Sequence, residues 1–109
     1  MGKKLIPDEI REEVSVIVEK FNQEEFKTID IYYIARFQGR YLYLDRIAYG
    51  KKEPVSRMEY FREINEWEFA IFKWSTEIYD PDEHMFPGSE FVDGTVEGAM
   101  RAGMEAYPV

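Results

Sequence analysis

Apolar residues in the first part of the chain recur every three or four positions, which is the spacing of one buried helix face. The pattern runs over residues 7 to about 26. Pro7 suits the first position of a helix, and Asp8 and Glu9 would lie at the positive end of the helix dipole. Burying five large apolar side chains could contribute roughly 7–15 kcal/mol, so the helix should dock onto a sheet. The predicted buried stripe comprises Ile10, Val14, Ile17, Val18 and Phe21.

The pattern then changes to runs of β-branched and aromatic residues, which predict two strands over residues 28–37 and 40–49. Gln38-Gly39 stands between them, and glycine tolerates the positive φ that a tight hairpin requires. A two-residue loop at Gln38-Gly39 would place Phe37 opposite Arg40. Because strand side chains alternate, this register gives the hairpin one aliphatic face and one tyrosine-rich face.

The aliphatic face of the hairpin is expected to lie under the helices. It comprises Ile29, Ile31, Tyr33, Ala35, Phe37, Leu42, Leu44 and Ala48. The tyrosine-rich face comprises Asp30, Tyr32, Ile34, Arg36, Tyr41, Tyr43, Asp45, Ile47 and Tyr49. Tyrosine suits interfaces because its large apolar ring has a polar tip. We interpret this face as a binding surface for a second subunit or a flat ligand; the alternative is an ordinary sheet face with aromatic cross-strand pairs.

Residues 50–54 are predicted to form a loop. Two further strands follow, a weaker one from residue 56 to about 62 and a strong fourth strand over residues 67–74. Both faces of the fourth strand are apolar, and two helices on one face of the sheet cannot cover both. A large uncovered apolar patch usually indicates a partner. The six residues expected to bind a ligand or partner are Tyr32, Arg36, Tyr41, Tyr43, Asp45 and Trp74.

The last part of the chain reads as a loop over residues 80–93 and a helix from an N-cap at Thr95 to about Tyr107. Its small residues are Gly98, Ala99, Ala102, Gly103 and Ala106. An internal glycine costs about 1 kcal/mol relative to alanine, so a close backbone approach to the sheet or to another chain would explain them. A short helix of marginal stability is the alternative.

These elements predict a single α+β domain over residues 1–109. We expect a four-stranded antiparallel β-meander, since neighbouring strands with short loops tend to pair, and both helices on one face of it. No part of the pattern matches a motif specific enough to name a reaction.

Composition excludes several chemistries. The chain has no cysteine and a single histidine, His84, so disulfides, thiolate nucleophiles and sites with two imidazoles are absent. The formal net charge of −8 disfavours nucleic-acid binding. No segment has the roughly 18–20 apolar residues that span a bilayer, and none near the N-terminus resembles a signal peptide. We therefore expect a cytoplasmic protein without a cofactor, a membrane partner or a nucleic-acid partner.

Two groups of acidic residues are compared with known catalytic and metal-binding sites. In the predicted register, Asp30 and Asp45 lie diagonally across the hairpin at roughly 7–8 Å, a spacing at which carboxylates can divide acid and base roles. Two solvated carboxylates near an arginine are the favoured interpretation. The run from Asp80 to His84 contains oxygen ligands but lacks the EF-hand pattern. A solvated turn is favoured there, and neither a metal nor a catalytic residue is predicted.

The function predicted from these residues is a non-catalytic binding or interaction module, self-associating as a symmetric dimer through the tyrosine-rich face or the final helix. The alternative is a small enzyme or small-molecule binder with a site between sheet and helices. That site would use Arg36, Tyr43, Asp45 or His84. Single-stranded nucleic acid stacking on the tyrosines is a third possibility, which the negative charge disfavours.

Overall fold

The structure is a computed structural model that describes residues 5–109; residues 1–4, which the predicted domain includes, lie outside the described part. The helices are α1 (Asp8–Glu25) and α2 (Val96–Ala106), with a short 3-10 helix at Ser89–Phe91. The strands are β1 (Ile31–Gln38), β2 (Tyr41–Ala48), β3 (Lys51–Tyr60), β4 (Trp67–Lys73) and β5 (Ile78–Asp80). They form one antiparallel sheet in the order β1-β2-β3-β4-β5. The predicted α+β meander is confirmed, with a fifth strand added.

Helix α1 follows the predicted stripe. Val14, Val18 and Phe21 are buried, and Ile10 and Ile17 pack half-buried against them. The helix lies beside β1 and also touches α2. Both helices thus pack on the same face of the sheet, which we call the inner face.

The turn between β1 and β2 differs from the prediction. Its two residues are Gly39 and Arg40, because Gln38 pairs with Tyr41. Phe37 therefore faces Leu42 rather than Arg40. A shift of two residues preserves the alternation of side chains, so the residues within β1 and β2 keep the faces predicted for them. Tyr49, expected on the tyrosine-rich face, lies in the turn after β2 instead.

The new register separates the two aspartates that were expected to lie across the hairpin. Asp45 pairs with Ile34, whereas the Asp30 carbonyl accepts a hydrogen bond from the Tyr49 N–H beyond the end of both strands. Ile29 lies outside β1 and is 92% exposed, so it belongs to neither face. The predicted diagonal placement of the two carboxylates was wrong, and Asp45, expected to be solvated, is buried.

Strand β3 starts earlier than predicted. Residues 51–54 were expected in a loop, but the β2–β3 connection is a tight turn at Tyr49 and Gly50, where both residues have positive φ. Leu44 pairs with Ser56 while Asp45 pairs with Pro54, so Val55 is an extra residue in β3. This bulge lets Val55 turn into the core.

Helix α2 begins at the predicted cap. The Gly98 N–H donates to the Thr95 hydroxyl oxygen at 2.9 Å. A Cβ added at Gly103 would lie 2.5 Å from the Tyr33 hydroxyl oxygen and 2.6 Å from Val55 Cγ1. The small residues of α2 therefore allow a close approach to the sheet of the same chain.

Candidate functional site

The candidate site is the face of the sheet opposite the helices, which we call the outer face. In the described part of the chain both helices pack on the inner face, so the outer face carries no helix. The strand pairing shows which side chains belong to the outer face, because residues paired across neighbouring strands point to the same side of the sheet. Its central members are Tyr32, Ile34, Arg36, Tyr41, Tyr43, Asp45, Ile47, Arg57, Ala70, Phe72 and Tyr79.

Two arginines lie over the tyrosine rings of the outer face. The Arg36 guanidinium carbon is 4.3 Å from the Tyr43 ring centroid. The Arg57 guanidinium carbon is 4.6 Å from the Tyr41 ring and 5.5 Å from the Tyr79 ring. Such cation–π contacts hold the long side chains flat against the sheet instead of extended into water.

Tyrosines from distant strands meet across this face. The ring centroids of Tyr43 on β2 and Tyr79 on β5 are 5.4 Å apart, although β3 and β4 lie between the two strands. Tyr79 also contacts Phe72 edge-on at 5.1 Å. Since three strand spacings amount to about 14 Å, the sheet must curl toward its outer face to bring these rings together.

Asp45 lies at the bottom of this ring layer and is 2% exposed. Its Oδ2 accepts a hydrogen bond from Arg36 Nε at 3.2 Å, and Lys52 Nζ lies 3.9 Å away. Burial raises the pKa of Tyr79, and the Asp45 charge raises that pKa further, while Arg36 opposes both effects. The carboxylate thus anchors Arg36 over Tyr43 and has little contact with solvent.

Four of the six predicted binding residues form this one cluster: Arg36, Tyr41, Tyr43 and Asp45. Tyr32 lies on the same face near the β1 edge and is 38% exposed. Trp74 follows the end of β4, contacts Phe72 at 5.1 Å and is 48% exposed. The rings are therefore covered in part by one another, and the two outermost remain open to solvent.

Two members of the cluster were missed by the sequence interpretation, Arg57 and Tyr79. Arg57 occupies an outward position of β3 that the alternation with Met58 indicates. Tyr79 belongs to a strand of three residues, which is too short for an alternation pattern to be recognised.

The acidic loop after β5 is organised around a lysine. Lys73 Nζ lies 3.1 Å from Glu83 Oε1 and 3.7 Å from Asp80 Oδ2. His84 is exposed and lines a shallow cavity with Phe69 and neighbouring loop residues. Within residues 5–109, no group of three or more potential ligand side chains is arranged to hold a metal ion.

No protein-family model matches this sequence, and no significant match was found among curated proteins or among solved structures. In the described residues, neither helix has the length and apolar character required to cross a bilayer.

Proposed function

We propose that this protein is a non-catalytic interaction module that forms a symmetric homodimer through the outer face of its sheet. The observation that carries the proposal is the position of the arginine–tyrosine cluster on a sheet face that neither of the helices in residues 5–109 covers. Tyrosine, tryptophan and arginine are the residues most enriched at the energetic centres of protein interfaces. Tyrosine and arginine occur together on the outer face, which supports a partner better than solvent.

Charge distribution supports a second copy as that partner. The outer face carries Arg36 and Arg57 and, on the neighbouring row of β3 and β4, Glu59 and Glu68. A two-fold axis through such a face can bring the arginines of one copy against the glutamates of the other. Helix α2 is the weaker choice for an interface, because its small residues already pack against Tyr33 and Val55 within the chain.

Sedimentation velocity at micromolar concentration tests the dimer. The 13.0 kDa chain is expected to sediment at about twice its own mass. Tyr32→Glu places a carboxylate on the exposed rim of the outer face and should shift the population to monomer. Val16→Glu is the matched control, because Val16 is exposed on α1, on the other side of the sheet. A wild-type monomer at hundreds of micromolar, or equal behaviour of the two variants, would contradict the proposal.

The setting proposed for this module is the cytoplasm, and nucleic acid is not among its proposed partners. The complete absence of cysteine supports a reducing compartment. The net charge of −8 opposes binding to a phosphate backbone. Salt-dependent retention of a single-stranded oligonucleotide would contradict the second statement.

A further inference from the structure

A second, separate feature of the molecule is a cleft between the sheet and the end of α2. It opens where β3 extends past β4, against the last residues of the chain, and has a volume of about 560 Å³. This volume falls within the range of about 300–1,000 Å³ that small-molecule sites occupy. We call it the Arg46 cleft, and its wall includes Arg46, Lys51, Lys52, Val55, Trp74 and Tyr107.

Arg46 is a buried cation in the lining of this cleft, only 3% exposed. Nη1 donates to the Gly103 carbonyl at 3.4 Å and contacts the Met104 sulfur at 3.9 Å, and Nη2 donates to the Tyr107 carbonyl. A guanidinium has five N–H donors. These contacts occupy three of them, and Arg46 also forms a hydrogen bond with the side chain of Tyr33 that acts to lower the pKa of Tyr33.

Arg46 also has no carboxylate partner within the described residues, since none of the ion pairs there includes it. Its charge is balanced by carbonyl dipoles at the end of α2 and by the Tyr33 ring, whose centroid is 5.7 Å away. Glu53, its cross-strand neighbour on β3, is paired with Lys51 instead. A buried charge without a counter-ion is costly. An anion entering the cleft would remove that cost.

The rest of the polar lining is also mostly cationic. Lys51 and Lys52 line the cleft, and Glu53 is the one acidic side chain in its wall. Glu53 Oε2 lies 3.4 Å from Lys51 Nζ, and Lys52 Nζ lies 3.9 Å from Asp45 Oδ2 on the outer face. Because both lysines are paired with carboxylates, Arg46 is the cation in this lining that has no ion pair among the described residues.

The uncharged part of the lining is apolar. Val55, Ala106 and the rings of Trp74 and Tyr107 form it. The Tyr107 hydroxyl donates to the Phe72 carbonyl, which fixes that ring in place. A ligand that fills the cleft would therefore place an apolar body against Trp74 and an anionic end against Arg46.

We propose that the Arg46 cleft binds an organic carboxylate with an apolar or aromatic body. The Arg46 guanidinium suits a carboxylate, because guanidinium groups bind carboxylates by charge-assisted hydrogen bonds. Inorganic phosphate carries the negative charge but has no apolar group to contact the apolar residues of the cleft. This ligand could be a free small molecule or the carboxyl end of a peptide, and the two share the same recognition chemistry.

NMR titration of the full chain with 4-phenylbutyrate tests the proposal, with neutral 4-phenylbutanamide as the matched probe. The indole N–H of Trp74 reports on the cleft, and that of Trp67, which donates to the Ile64 carbonyl at 2.7 Å, is the internal reference. We expect a saturable shift of Trp74 only, with the acid binding at least tenfold more tightly than the amide and than inorganic phosphate. Equal affinities of acid and amide, or no saturation at Trp74, would overturn the proposal.

A peptide pair distinguishes the two sources of carboxylate. N-acetyl-Gly-Gly-Phe with a free carboxyl end is compared with its amide. Preference for the free peptide over 4-phenylbutyrate assigns a peptide end as the ligand, and the reverse order assigns a small molecule. Failure of both acids to bind overturns the proposal.

Two variants connect the binding to the cleft. Arg46→Gln should weaken 4-phenylbutyrate at least tenfold while leaving the amide unchanged. Because Arg46 also caps the end of α2, Ala106→Phe serves as a second variant that fills the apolar wall without changing charge. Glu97→Phe, at an exposed position at the other end of α2, is its control. Unchanged affinity in Ala106→Phe would contradict the location of the site.

Discussion

The Tyr33 hydroxyl on β1 donates a 2.8 Å hydrogen bond to the main-chain carbonyl of Met100 in the middle of α2. Both residues are buried, so this bond fixes the height at which the helix lies over the sheet. Burial raises the pKa of Tyr33 to about 12, although the nearby Arg46 charge acts in the opposite direction. The structure thus relies on a hydroxyl that must stay protonated.

The first prediction concerns Tyr33→Phe. At neutral pH the variant should lose about 1 kcal/mol of unfolding free energy, the net value of one buried hydrogen bond. In the wild type, the unfolded state ionises near pH 10 and the folded state near pH 12, so stability should fall as pH rises between those values. A difference of about two pKa units corresponds to about 3 kcal/mol. The two proteins should therefore exchange their order of stability in alkali, as measured by urea denaturation.

Tyr32→Phe is the control for that experiment, because it removes a hydroxyl from a partly exposed ring on the same strand. It should stay within about 0.5 kcal/mol of the wild type at neutral pH. A constant difference between Tyr33→Phe and the wild type from pH 8 to pH 12 would show that Tyr33 does not ionise with unfolding.

The second prediction concerns the close approach at Gly103. Gly103→Ala gains about 1 kcal/mol in helix propensity but introduces a Cβ 2.5 Å from the Tyr33 hydroxyl oxygen and 2.6 Å from Val55 Cγ1. Overpacking of this kind costs about 1–3 kcal/mol, so a net loss of stability is expected. Tyr33→Phe removes the hydroxyl at the first contact. The double variant should therefore be more stable than the sum of the single changes, by at least about 0.5 kcal/mol in thermal or urea unfolding.

The faces of the sheet could be predicted from the sequence, but the turn could not be placed. Side chains on a strand alternate between the two faces, so residues an even number of positions apart share a face. Moving the turn from Gln38-Gly39 to Gly39-Arg40 shifts the cross-strand pairing by two residues, which leaves every side chain on the same face. The choice between these turns depends on a contact far along the chain. The Arg40 carbonyl accepts a hydrogen bond from the Tyr60 N–H at 2.8 Å, which fixes Arg40 beside the end of β3.

Alternation along the strands also explains why only part of the candidate site could be predicted from the sequence. Arg36, Tyr43 and Asp45 lie on one hairpin, where local alternation determines their side. Tyr79 reaches them only because the sheet curls, which no local pattern shows. Arg46 was assigned to neither face, although it shares the inward side of β2 with Leu42 and Leu44. Its position in this alternation could have predicted from the sequence that Arg46 is buried.

The third prediction concerns Ser56, a buried residue of β3 whose hydroxyl has no hydrogen-bond partner among residues 5–109. A buried polar group without a partner costs about 1–3 kcal/mol. Ser56→Ala should therefore raise the unfolding free energy by about 1 kcal/mol, measured by urea denaturation. Ser75→Ala, in the exposed turn after β4, is the control and should have no effect. A loss of stability in Ser56→Ala would mean that the hydroxyl binds a buried water.

The fourth prediction concerns the edge of the sheet. The Asn22 side chain of α1 accepts from the Tyr33 N–H at 2.8 Å and donates to the Tyr33 carbonyl at 3.0 Å, so it takes the place of a neighbouring strand along β1. Asn22→Ala leaves both groups unpaired, and we expect a loss of about 1–3 kcal/mol and faster hydrogen exchange at the Tyr33 amide. Asn22→Asp keeps the side-chain oxygen that accepts from the Tyr33 N–H. The Tyr33 amide should therefore stay protected from hydrogen exchange even if the unfolding free energy falls. Gln23→Ala, exposed on the next position of α1, should change neither quantity. Unchanged exchange at Tyr33 in Asn22→Ala would show that the edge of β1 is closed by something other than this amide.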